Sequence, residues 1–150
     1  MILRALKEQD RKDFIEMCLD FYSGEAVLHT IPEENIIKTF EAIIQGNPYI
    51  KGHIIEGAGE IAGYGLHWLY WSNEAGGLMC FIDEIYVKAE YRGQRLGTEY
   101  LESLKEIYKD LVVGFRLEVS AENDRATKLY ERLGFESLDY DQMIRIKGSI

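Results

Sequence analysis

The chain has 150 residues, 47% hydrophobic and 29% charged, enough for one domain (residues 1–150) around a single core and unlike a disordered or collagenous composition. A formal net charge of −9 repels phosphate backbones, so no nucleic-acid partner is expected, while cations are attracted. The sequence has no apolar run near the ~20 residues of a membrane span and no signal-peptide layout, so a cytoplasmic protein with no membrane partner is expected.

Ile2–Ala5 is a short strand candidate. Asp10 is placed to cap the following helix, in which Phe14, Met17, Cys18 and Phe21 recur at i, i+3, i+4, i+7 and share one face. Gly24 breaks it. Thr30 and Glu33 have capping-box spacing, with Pro32 in the first turn. Ile36, Ile37, Phe40, Ile43 and Ile44 make the apolar face of a second helix, ended by Gly46, Asn47 and Pro48. Residues 49–56 and 60–71 flank a glycine turn and predict a hairpin. The run 78–87 alternates little, as a central strand covered on both faces would. A helix over 97–109 carries Tyr100, Leu101, Leu104 and Tyr108 on one face, and residues 111–120 follow as a strand. Asn123 can cap a short helix running to Leu133, and Gly134 can end it in a left-handed conformation. Residues 135–139 and 142–146 are the last predicted strands, giving the order β-α-α-β-β-β-α-β-α-β-β in one mixed α/β domain.

Cys18 and Cys80 form no CxxC pair and sit in apolar segments, where buried free thiols are expected. His29, His53 and His67 lack metal-ligand spacing and read as structural or surface residues, so no metal is expected.

The stretch DEIYVKAEYRGQRLGTEYL, residues 83–101, reads as a buried strand, a tight polar loop and a helix. A helix start presents backbone N–H groups without intrahelical acceptors and the positive end of the helix dipole. Gly93 and Gly97 let the backbone approach an anion, and Arg92 and Arg95 add charge in an otherwise acidic chain. A phosphate or pyrophosphate site follows, unless the glycines only shape the turn. There is no P-loop sequence and no GxGxxG after an early strand.

Here the sequence resembles the GNAT family of N-acetyltransferases, whose acetyl-CoA signature Q/R-x-x-G/A-x-G/A is matched by Arg92 and Gly97 and departed from at Arg95, which stands where that family most often has Gly. A second family motif matches ENDRATKLYERLGF, residues 122–135. The resemblance implies a mixed, mostly antiparallel sheet of about seven strands flanked by four helices and splayed between strands 4 and 5. It implies that backbone groups of Ile85, Tyr86 and Val87 pair with the pantetheine of acetyl-CoA. It places the pyrophosphate on the N–H groups of Gly93, Gln94, Arg95, Leu96, Gly97 and Thr98. Asn123 would stand near the pantetheine, and Tyr130 would be both a coenzyme contact and the general acid. The bland alternative for Tyr130 is a helix residue packed on the sheet.

Asp83 and Glu84 are adjacent carboxylates in an apolar strand, where they must be paired or face a cleft. Neighbours on a strand alternate faces, so only one is expected to reach an acetyl group, as base or amine ligand; the other reading is an ion pair or a strand-end surface charge. Residues 63–87 resemble the diamine (spermidine/spermine) branch of the family. Tyr64, Trp68, Tyr70 and Trp71 then either shape a cationic channel or pack a hairpin. The expected activity is acetyl transfer from acetyl-CoA to a small cationic amine by direct attack in a ternary complex. The alternatives are a peptide N-terminus or protein lysine as acceptor, or a non-catalytic acyl-CoA-binding module. A homodimer through the aromatic hairpin or the last strands is a further expectation.

Overall fold

Phe14, Met17 and Cys18, spaced to share one helical face, are buried together with Ile36 and Phe40 from the second helix. These two helices, α1 (Arg11–Ser23) and α2 (Glu33–Ile44), therefore cover one face of a sheet. The computed structural model describes residues 1–24 and 27–147. Its strands are β1 (Ile2–Ala5), β2 (Lys51–Gly57), β3 (Glu60–Ser72), β4 (Gly77–Val87) and β5 (Gly114–Leu117), in spatial order β1-β2-β3-β4-β5. The first four pair antiparallel; β5 runs parallel to β4. On the opposite face lie α3 (Leu96–Tyr108) and α4 (Asp124–Arg132). The predicted apolar face of α3 is confirmed, with Tyr100, Leu101, Leu104 and Tyr108 all buried.

The sheet separates two cores. One joins α1 and α2 to Ile54, Tyr64, Leu66 and Tyr86. The other joins α3 to Ile55, Ala62, Cys80 and Ile82. Gly65 in β3 brings α3 in closely, since a Cβ there would lie 2.2 Å from the Tyr100 ring.

Four expectations need correction. The sheet has five strands among the described residues and not seven, because residues 135–146 adopt no regular structure and find no ladder. The strand predicted over 111–120 is confined to Gly114–Leu117. Pro32, extended at ψ 137, is the residue before α2, and no side chain caps that helix, so the Thr30–Glu33 box does not form. Asp10 does precede α1 but caps nothing in it: its carboxylate accepts from Arg4 at 2.7 and 2.9 Å and from the Lys7 N–H at 2.8 Å. Among the described residues no helix is long and apolar enough to cross a membrane.

Candidate active site

Pairing between β4 and β5 stops at Ile82↔Leu117, yet β4 continues to Val87. From Asp83 onward β4 has β3 on one side and no strand on the other, because β5 ends at Leu117. Ile85, Tyr86 and Val87 lie on that open stretch. The Arg92 guanidinium donates from Nε to the Val87 carbonyl at 2.9 Å and lies 6.0 Å from the Tyr86 ring centre.

The loop after β4 makes one 3-10 turn over Ala89–Tyr91 and then reverses at Gly93, whose φ of +81 is the left-handed region glycine adopts without strain. Arg95, the residue before α3, is also left-handed at φ 65, ψ 11. It thus holds the conformation the family's usual glycine takes freely. Glu99 is the first residue here whose N–H finds a helical acceptor, the Arg95 carbonyl at 2.9 Å. Among the described residues the N–H groups of Gly93, Gln94, Arg95, Leu96, Gly97 and Thr98 have no backbone acceptor, and they lie at the positive end of α3, the kind of donor set an anion can occupy. Gly97 sits 3.6 Å, in Cβ terms, from Leu129 of α4, an ordinary contact that leaves the helix start open.

Asp83 and Glu84 fall where the β3–β4 register slips. Leu66 pairs with Glu84 and His67 with Ile82, so Asp83 has no partner and forms a β-bulge. The extra residue cancels the alternation of faces, and both carboxylates line the same cavity. That cavity, about 380 Å³, lies between α1, α2 and the sheet, with walls from Phe14, Ile31, Ile36, Ile50 and Leu66. Glu84 is buried at 8% exposure and accepts from Tyr22 Oη and, at 2.7 Å, from Tyr64 Oη. Burial raises the Glu84 carboxyl, and the two hydroxyls oppose that. Asp83 is open to solvent at the cavity edge. Desolvation on its inner side, then the charges of Glu84 and Glu118, push it up to about 7. Sequence reading missed Tyr22, whose place in the last turn of α1 gave no sign of a contact 62 residues away.

Tyr130 projects from the last turn of α4 and is fixed by the helix end. Gly134, left-handed at φ +86, donates to the Glu131 carbonyl, and Phe135 donates to the Tyr130 carbonyl, both at 3.0 Å. This double bond pattern brings the Phe135 ring edge-on to Tyr130, centroids 5.9 Å apart. Burial pushes the Tyr130 hydroxyl above its usual range, so it stays protonated. Asn123 Oδ1 caps α4, accepting from Ala126 N–H at 3.2 Å. Of the hairpin aromatics, Tyr64 reaches Glu84. Trp68 stacks on Phe81 at 4.3 Å, and Trp71 is 69% exposed; neither lines the cavity. His67 is buried against α3, with Nε2 2.7 Å from Tyr108 Oη, and stacks on His53. Cys18 and Cys80 are buried free thiols. Among the described residues no group of three His, Cys, Asp or Glu side chains is placed to hold a metal.

A β4–β5 pair that ends early, followed by a glycine-bearing loop and a helix start, is the arrangement the sequence resemblance implied. The family model for "Acetyltransferase (GNAT) family" matches residues 12–135. A pig thialysine N-epsilon-acetyltransferase (Sus scrofa) is 34% identical over 92% of this chain and 85% of its own. Its mouse counterpart (Mus musculus) is 28% identical over 91% and 84%. The solved structure of a possible acetyltransferase from Clostridium difficile 630 superposes with a TM-score of 0.79 at 20% identity, over 97% of this chain and 96% of that one, and so shares the fold. The chain belongs to the GNAT acetyltransferase family, and with that it is an acetyl-CoA-dependent N-acetyltransferase.

Proposed function

We propose that the acceptor is a small primary amine carried as a cation, held in the cavity between α1, α2 and β4 and acetylated directly in a ternary complex. The observation that carries this reading is the bulge that turns Asp83 and Glu84 toward one apolar-walled cavity. Two carboxylates in such a place attract an ammonium group, while the apolar walls suit a short aliphatic chain. The pig and mouse relatives, named for the ε-nitrogen of thialysine, support an amine at a chain end.

Bound acetyl-CoA supplies the activated acetyl group. The free N–H groups of residues 93–98 hold its pyrophosphate, and the open side of Ile85, Tyr86 and Val87 orients its pantetheine. Glu84 holds the ammonium. Asp83, raised to about 7, takes a proton from it near neutral pH, because a nitrogen attacks only with a free lone pair. Tyr130 Oη donates a proton to the departing sulfur. The Asn123 side chain, besides capping α4, borders the pantetheine. The enzyme acts in the cytoplasm as a homodimer, and the exposure of Leu138, Met143 and Ile144 supports contact through the last segment.

A panel of diamines, ω-amino acids, aminoglycosides and peptides with free N-termini, each with acetyl-CoA, tests the acceptor. Terminal amines on short chains should be acetylated at least tenfold faster than peptides. Turnover confined to peptides would reject the small-amine reading, and coenzyme binding with no turnover on any amine or protein would favour a binding module.

A further inference from the structure

Asp83 and Glu84 share one bulge, but only Glu84 is gripped. Tyr22 Oη donates to its Oε1 and Tyr64 Oη to its Oε2, so both oxygens of Glu84 are engaged, and neither hydroxyl serves Asp83. Tyr64 is a fully buried core residue in the middle of β3. Tyr22 differs: it is half-buried in the last turn of α1, and it lines the acceptor cavity. Resting on the amine-acetylation reading above, we propose that Tyr22 is a positioning residue that keeps Glu84 a fixed anion for the incoming ammonium and thereby leaves proton acceptance to Asp83.

The groups facing the pair are Cys18 and Tyr22 from α1, Lys38 from α2, Tyr64 from β3 and Glu118 beyond β5. Burial holds Cys18 as a neutral thiol, pushed up to about 12. Lys38 is exposed and paired with Glu34 at 2.6 Å. The charges left to act on Asp83 are therefore Glu84 first and Glu118 second. Each tyrosine hydroxyl stabilises ionised Glu84 against the effect of burial. A charged Glu84 in turn makes Asp83 a better proton acceptor by repulsion, which brings a solvent-open aspartate into the range where a base works at neutral pH. In the step itself the ammonium N–H bond breaks, nitrogen keeps the electron pair, and the proton goes to an Asp83 carboxylate oxygen and on to water at the open edge of the cavity.

Carboxyl-¹³C NMR titration of the whole chain, with neither amine nor coenzyme added, tests the idea. In Tyr22→Phe, Glu84 should titrate higher than in the unsubstituted chain. Asp83, its neighbour now more often neutral, should titrate lower by about one pH unit. In a Glu84→Gln background, Tyr22→Phe should move Asp83 no further. The proposal is overturned if Asp83 stays put or rises in Tyr22→Phe, or if it falls as far with Glu84 already replaced. Coenzyme affinity unchanged within twofold verifies that the variants remain folded. With an acetylated amine in hand, the acidic limb of kcat should shift to lower pH in Tyr22→Phe while KM for the amine rises, a pairing that loss of packing alone does not produce. A chain that titrates as expected but acetylates no amine would reject the acceptor reading and leave the action of Tyr22 on the carboxylates standing.

Discussion

Asp83→Asn replaces a carboxylate with a neutral side chain of the same shape, and its effect on stability has a sign that depends on pH. The folded chain binds a proton at Asp83 with an affinity raised from 3.8 to about 7. Between about pH 4 and about pH 7 it therefore binds more protons there than the unfolded chain, and stability falls as pH rises through that window. At ~1.4 kcal/mol per pH unit, the rise corresponds to at most about 4 kcal/mol. Asp83 is open to solvent on one side, which relieves first the desolvation and then the repulsion behind the shift, so about half of that, ~2 kcal/mol, is expected. Urea or thermal melts at about pH 8 should show Asp83→Asn more stable by ~2 kcal/mol, with Tm higher by ~4–8 °C for a chain of this size. The gap should close below about pH 4, where the carboxyl is protonated in both states. Turnover in the same variant should drop ~10²–10⁴-fold. A variant no more stable than the unsubstituted chain at about pH 8, or a gap that does not change with pH, would refute the reasoning.

Tyr130→Phe keeps the ring contact with Phe135 and removes only the hydroxyl, so kcat should fall ~10²-fold or more with coenzyme affinity nearly intact; unchanged turnover would remove Tyr130 from the acid role. Arg95→Gly relieves a left-handed backbone at φ 65 but adds chain entropy, so stability should change by less than ~1 kcal/mol. The coenzyme should nevertheless bind ~5-fold more weakly, with the difference shrinking as salt is added, as calorimetry at two ionic strengths can show. Gly65→Ala puts a Cβ 2.2 Å from Tyr100, and denaturant melts should register a loss of about 3 kcal/mol or more, since neither the strand nor the ring has room to retreat.

Elements whose signal is local were legible in the sequence. Three of the helices follow from apolar residues at i, i+3, i+4, and α4 follows from its Asn123 cap and from one glycine before a phenylalanine. The loop between β4 and α3 was legible for the same reason: its glycine, its arginines and the helix start lie within seven residues of one another. Features that depend on partners were not. Residues 135–146 have a strand-like pattern, yet a strand exists only with a ladder, and β5 offers four paired residues to β4 and no further strand beyond. The bulge at Asp83 was invisible because counting faces by twos assumes an unbroken register with β3, and the slip is a property of the pair. Tyr22 was missed likewise, since nothing near it in the chain hints at Glu84. The Thr30–Glu33 spacing matched a common cap, but extended Pro32 takes the capping place itself.

The division of the interior into two cores on opposite sides of the sheet has a consequence for how such an enzyme diversifies. On the proposed reading, the walls of the acceptor cavity come largely from α1 and α2, and the loop proposed for the pyrophosphate leads into α3, with β4 common to both. Substitutions more than ~7–10 Å apart with no shared neighbours act nearly independently on stability. Substitutions on the cavity side of α1 and α2 that stay clear of β4 are therefore expected to leave the packing of α3 nearly unchanged.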